Sequence, residues 1–460
     1  MLAIFATSAC GGGQTVGPVP VAGGAASAAP AGSAAPSPAS SHAASPVPTS
    51  AASSSPSSAP SAGASAGATA AGVPFPSKPD SDPFYAQPGP FPNGDAPGTI
   101  LASRSVTYAP VGGMAMSNPA WQLKFVSQDE FGAPIAAVAT VVKPTTAATG
   151  VTPLEAVMYA EDSLGPQCAP SHSVTGATND GNNQAEGSAP LQGLAQGWVV
   201  VYPDYEGPQS AYSSPRLAGF TTLDAVRAAE RFAPLGLSGA TPVGLTGYSG
   251  GAIAAAWAAT LQHAYAPELD IVAVASGGTP ANPRSILENI DTSQTSNAAF
   301  FNLILAAVFG ANRTYDDITP ILNAKGMAAA TAQANGCVGA TTDGSPNPSG
   351  HFADYTTVSD PLHTPAALAL YPKITLPQAQ APTANVFVYH SQVDELIPIA
   401  GVDPMVAAWC SAGTHVAYYR GVAGDHIGFE ATNVSAVYAY LSSRFGGGAT
   451  SVPTGSTICN

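Results

Sequence analysis

Charge is what this chain has least of. Only 13 of its 460 residues are Lys or Arg, against 28 Asp or Glu, and the four charged types together make up 9% of the sequence, where about a quarter is usual. So few cations at a net charge of -15 exclude nucleic acid as a partner, because its binding rests on clustered Lys and Arg that neutralise phosphates. An anionic membrane surface is disfavoured on the same ground, and a neutral substrate fits better. Long apolar runs are missing too, and no stretch is long enough to span a bilayer. Cysteine is scarce, with 5 in total. Setting Cys10 aside leaves Cys168, Cys337, Cys410 and Cys459, and an even number in an exported chain points to two disulfides. Four cysteines allow three pairings, among which spacing does not choose.

From Gly11 to Gly72 there is no Lys, Arg, Asp or Glu, and Ala, Ser, Pro and Gly dominate. Such a stretch has too little apolar surface to offset the entropy lost on ordering. Residues 11–74 therefore read as a disordered tether. Before it, Met1 to Cys10 (MLAIFATSAC) is apolar and ends in small residues, as a shortened export signal would. Ser8-Ala9-Cys10 followed by Gly11-Gly12-Gly13 resembles a bacterial lipoprotein signal, which implies a lipidated Cys10 and a secreted or cell-surface, lipid-anchored location. A plain export signal with an incidental cysteine is the alternative.

The remaining chain, 75–460, reads as one domain in which strands and helices alternate. Ile135 to Val142, Leu154 to Tyr159, Val199 to Tyr202, Val243 to Thr246, Asp270 to Ala275, Asn385 to Tyr389 and Val416 to Tyr419 are apolar runs of strand length. Leu217 to Phe232 and the Ala-rich Gly250 to Tyr265 have helical spacing, and a helix over Ser435 to Phe445 closes the chain. This order predicts an α/β architecture, a mostly parallel sheet flanked by helices. Between about Pro283 and Gln380 the rhythm breaks into helical runs and Gly/Pro-rich loops. An insertion of that size, mainly helical, is expected to sit over the site as a cap. Its most apolar stretch, Ala298 to Phe309, carries Phe300, Phe301, Leu303, Ile304, Leu305 and Phe309, either an acyl-chain pocket or a packing helix.

The pattern G-x-S-x-G means little in a chain so rich in Gly and Ser, and it occurs twice. Gly63 to Gly67 lies in the tether. Gly247-Tyr248-Ser249-Gly250-Gly251 instead joins a strand to a helix, which is the context the chemistry needs. A nucleophilic serine stands on a tight strand-to-helix turn, with glycines where a Cβ would clash. The start of a helix beside it favours developing negative charge, with the Gly250 N–H as the first oxyanion donor.

Serine needs a base, and in the α/β-hydrolase fold the partners follow in the order Ser, acid, His. His263 lies in the next helix, His351 and His363 in the insertion, and His390 precedes the best acid. His415 begins a strand. His426, placed in a loop after the last strand, is the expected base. Asp394, just after the strand ending at Tyr389, is the expected acid, whose role is to fix the imidazole tautomer. Asp425, adjacent in sequence to His426, and Glu395 are the rival acids. No cofactor or metal is required by this chemistry.

With GYSGGA at Gly247 to Ala252 stand YAPELDIV at Tyr265 to Val272, GGTP at Gly277 to Pro280 and VDELIP at Val393 to Pro398. In this order, from Asp82 to the C-terminus, the motifs resemble the secretory lipase family typified by the yeast lipase A enzymes. The resemblance implies an esterase or triacylglycerol lipase acting on a neutral ester or lipid without cofactor. It also implies the disulfides Cys168–Cys337 and Cys410–Cys459, and Asp162 as the second oxyanion contributor. An ionised carboxylate accepts hydrogen bonds, so Asp162 serves only through its backbone N–H or with its proton retained. The family usually has Tyr where this chain has Ala160, and continues past the last cysteine into a flap. An acyltransferase on the same triad and a non-catalytic tethered surface-binding protein are the rival readings, with a peptidase behind them.

Overall fold

Runs of apolar residues, buried on both faces, build one ten-stranded sheet in the computed structural model. The structure describes residues 82–460, apart from 89–90, 92–94, 147, 149, 159–167, 177–188, 293–303, 305–306, 309, 316–318, 335 and 338–349. The strands are β1 Ile100–Val106, β2 Ala120–Gln128, β3 Pro134–Val142, β4 Leu154–Met158, β5 Val199–Pro203, β6 Val243–Tyr248, β7 Ile271–Gly277, β8 Asn385–Ser391, β9 Val416–Gly421 and β10 Thr457–Cys459. Their order is β1-β2-β3-β5-β4-β6-β7-β8-β9-β10. From β5 through β9 every pair is parallel. Both edges are antiparallel, β1 to β3 on one side and β10 on the other. Residues 11–74, expected from the sequence to be a tether, and Cys10 lie outside the described residues.

Successive strand side chains face opposite sides, and the two sides here have different partners. Val274, Val386 and Val388 join a core with α1 Pro215–Arg231, α2 Gly250–Tyr265 and part of α6 Asp403–Ser411. Ala273, Ala275, Phe387 and Tyr389 face a second cluster built on α7 His426–Phe445. Close approach of α1 and α2 depends on Gly219, where a Cβ would come within 2.8 Å of Leu261 Cδ1 and 3.1 Å of the Ala258 nitrogen.

Between β7 and β8 the chain is helical, with α3 Pro283–Thr292, α4 Ala324–Gln333 and α5 Pro365–Ile374. Among the described residues of this segment no strand forms, only an isolated bridge between Leu322 and Thr356. The segment packs around its own small core of Ile286, Ile290, Ile304 and Phe352, completed by Tyr212, Leu396 and Ile397 from the sheet side. Cys168 is bonded to Cys337, which ties this segment to the chain after β4, and Cys410 is bonded to Cys459, which ties α6 to β10. Each such bond typically contributes about 2–5 kcal/mol.

The structure corrects the sequence reading at both ends. β1, β2, β10 and α6 were not expected. In β1 the partly exposed pattern ILASRSV weakens the apolar signal, and in β2 buried Gln122 interrupts it. α7 begins at His426, not at Ser435, and it is followed by β10. Gly424 and Gly428 make that stretch read as a loop, but Asp425 caps the helix through its side chain, accepting from the Gly428 N–H at 2.7 Å.

Candidate active site

β6 delivers Ser249 at the carboxyl end of the sheet, on backbone angles of φ 49° and ψ -122°. A serine in this sparsely populated region is held there by its surroundings. Its N–H donates to Gly277 O at 3.0 Å. The turn is closed so tightly that a Cβ on Gly247 would stand 2.3 Å from Gly251 O. Gly250 is the first residue of α2, so its N–H belongs to the helix end that has no intrahelical acceptor.

His426 is the first residue of α7, and its ring is brought to the serine from the far side of the sequence. Its Nε2 lies 2.8 Å from Ser249 Oγ, and its Nδ1 lies 2.7 Å from Asp394 Oδ2. The other Asp394 oxygen accepts from the N–H of Leu396 at 3.0 Å and of Ile397 at 2.7 Å. Burial works to raise the Asp394 pKa, but the His426 hydrogen bond and charge, with the Ile397 N–H, hold it below the usual carboxylate value. An ionised Asp394 only accepts, so the His426 proton sits on Nδ1 and Nε2 is left bare toward the hydroxyl.

The imidazole is fixed on its backbone side as well. Glu395 Oε2 accepts from the His426 N–H at 2.9 Å, and the Tyr248 hydroxyl donates to His426 O at 2.7 Å. The Tyr248 and His426 rings lie 5.1 Å apart. The rival acids thus have other occupations, Glu395 on the His426 backbone and Asp425 as the helix cap. Sequence reasoning named Tyr248 only as part of the turn; no local signal shows that its hydroxyl reaches a residue 178 positions away. Asp162 lies outside the described residues, as do Phe300, Phe301, Leu303, Leu305 and Phe309. Ile304 is buried and lines the cavity below.

A cavity opens at Ser249, with Ile253, Ile286, Leu370, Leu396 and Ile397 in its wall. Its described lining contains no Asp, Glu, Lys, Arg or His, which suits an uncharged, apolar ligand. Among the described residues no three His, Cys, Asp or Glu side chains converge as a metal would require, and no described helix is long and apolar enough to cross a membrane.

One charged cluster braces the wall from outside. His363 Nδ1 lies 2.7 Å from Asp360 Oδ1, and its Nε2 lies 2.7 Å from Glu288 Oε1 on α3, which Arg284 Nε also meets at 2.8 Å. Hydrogen bonding to Asp360 and then to Glu288 raises the His363 pKa above its ordinary 6.5. A folded-state pKa raised in this way adds stability that is present below the unfolded value and lost as pH rises through the folded one. The melting temperature of His363→Ala is therefore expected to fall below that of wild type at pH 5–6. The gap should close as the pH is raised above neutrality, and a gap independent of pH would show that the imidazolium is not what braces the segment.

The secretory lipase family model matches residues 179–452. The chain is 31% identical over 381 residues to the secreted triacylglycerol lipase LIP1 of Malassezia furfur, covering 80% of this chain and 76% of that one. It is equally 31% identical over 382 residues to the probable inactive lipase MT1628 of Mycobacterium tuberculosis, covering 81% and 83%. Among solved structures, Candida antarctica lipase A in its closed state superposes with a TM-score of 0.72 at 26% identity, covering 82% of this chain and 88% of that one.

Proposed function

Because this chain belongs to the secretory lipase family, we propose that it is an exported carboxylic ester hydrolase working through an acyl-enzyme on Ser249. The observation that carries the reading is the continuous line from Ser249 Oγ through His426 to Asp394, at 2.8 and 2.7 Å. Ser249 attacks the ester carbonyl while His426 Nε2 takes its proton, and the same proton passes to the leaving alkoxide. Water, activated by His426, then releases the acid. The Gly250 N–H stabilises the tetrahedral oxyanion, with Asp162 as the second contributor. Removing one such donor typically costs about 10²–10³ in rate.

Supporting a lipid-like substrate are the apolar cavity and the relatives named triacylglycerol lipases. In this reading the helical segment 283–380 is a cap that covers the acyl chain. Residues 11–74 are the linker between the catalytic domain and a secretion signal or a lipidated Cys10.

A chain-length series tests the substrate class. Each methylene taken into the cavity gains about 0.8 kcal/mol, roughly fourfold in kcat/KM. With p-nitrophenyl esters from acetate to palmitate, kcat/KM is therefore expected to climb from acetate into the long chains. Activity confined to acetate and butyrate would mean an esterase whose cavity does not receive the chain. Product partition with an added acceptor alcohol separates hydrolase from acyltransferase. The relative named as a probable inactive lipase gives the non-catalytic reading its one specific support. A fluorophosphonate probe decides it, since a vestigial site leaves Ser249 unlabelled.

A further inference from the structure

Four residues before Asp394, at the carboxyl end of β8, a second histidine is buried against the same acid. His390 is 0% exposed. Its Nε2 lies 2.9 Å from Ile397 O and 3.5 Å from Asp394 Oδ2, the oxygen that also meets His426. A backbone carbonyl only accepts, so the His390 proton sits on Nε2 and Nδ1 is bare. That Nδ1 is buried with no hydrogen-bond partner among the described residues, so its desolvation is uncompensated. A position needing only to be filled would be served better by an apolar ring of the same size. Ile397 is gripped on both sides, its N–H by Asp394 Oδ1 at 2.7 Å and its carbonyl by His390.

We propose that His390 is a positioning residue for the acid of this site. By holding Ile397, it fixes the turn from which Asp394 meets His426. The proposal rests on the acyl-enzyme reading and adds a fourth side chain to it. The charged groups acting on His390 are Asp394, His426 and Asp403, and burial, the largest influence, keeps its pKa below the ordinary imidazole value. The ring is therefore neutral at neutral pH and leaves Oδ2 to His426. With His390 lost, the turn loosens, the Asp394–His426 bond weakens and the His426 imidazolium is less stabilised.

The test compares wild type with His390→Phe, which keeps the ring without a donor, and His390→Asn, whose amide is too short to reach Ile397. His390→Gln restores an N–H at about the reach of Nε2. Reactive Ser249 is titrated with a fluorophosphonate, and turnover of p-nitrophenyl butyrate per titrated site is followed from pH 5 to 9. Misplacing a catalytic group by about 1 Å costs on the order of 10²-fold. Phe and Asn are thus expected to lower kcat per site 10- to 100-fold with less change in KM, and to move the acid limb of kcat/KM to lower pH. Gln is expected to recover most of the rate. If Phe or Asn lowers only the titratable fraction, leaving turnover per site and the acid limb as in wild type, His390 is a packing residue and the proposal is overturned. A wild type that neither labels nor turns over esters would overturn the reading of the whole site, and this proposal with it.

Discussion

Replacing Ser249 by alanine is expected to lower kcat on every ester by about 10⁶-fold, the loss found when the nucleophile of a comparable triad is removed. The size of the effect follows from the position of Oγ. In the proposed mechanism it is the atom that bonds to the acyl carbon, and it lies 2.8 Å from His426 Nε2. The fold should survive, because the hydroxyl makes no helix cap bond. The backbone at φ 49° is equally strained for serine and alanine, so the melting temperature should move by no more than a few degrees. Residual turnover within tenfold of wild type, in a preparation free of contaminating esterase, would remove Ser249 from its role.

Asp394→Asn should come next in size, with a loss of about 10⁴-fold in kcat near neutral pH. Here the surroundings enforce the damage. The N–H groups of Leu396 and Ile397 both point at Oδ1, so an asparagine must turn its carbonyl oxygen to them. Its NH₂ group then faces His426 Nδ1, which has to accept, and the imidazole proton is driven onto Nε2. A protonated Nε2 does not take the Ser249 proton. Steady-state kinetics with p-nitrophenyl butyrate measure the loss. A decrease of less than tenfold would pass the acid's role elsewhere, against the present engagement of Glu395 with the His426 N–H and of Asp425 with Gly428.

Both substitutions probe residues legible in the sequence, and for definite reasons. Ser249 lies between glycines on a strand-to-helix junction, and each part of that signal is within a few positions of the others. Gly247 is required by a clash with Gly251 O four residues away. The buried parallel strands were legible for a similar reason, since burial on both faces makes each one a short continuous apolar run. His426 and Asp394 were reached by elimination and chain order, and the order of the elements supplied what spacing does not.

The surroundings of those residues were not legible. Asp425 adjoins His426 in sequence yet turns to the helix end, where its carboxylate accepts from the Gly428 N–H at 2.7 Å. His390 precedes the acid, so chain order does not point to it, and its contact with Asp394 depends on a turn that folds Ile397 back over it. β1 and β10 are not legible because edge strands are partly exposed and lose the apolar continuity that marks the centre of the sheet.

The sequence by itself determined the scarcity of charge, the parallel α/β core and the turn that presents Ser249, because each depends on composition or on residues close together in the chain. Only the tertiary structure decided how the imidazole is held. The atoms that fix it come from the ends of β6, β8 and α7, and Ser249 and His426 stand 177 positions apart. Their distances and hydrogen-bond directions exist only once the two faces of the sheet are packed.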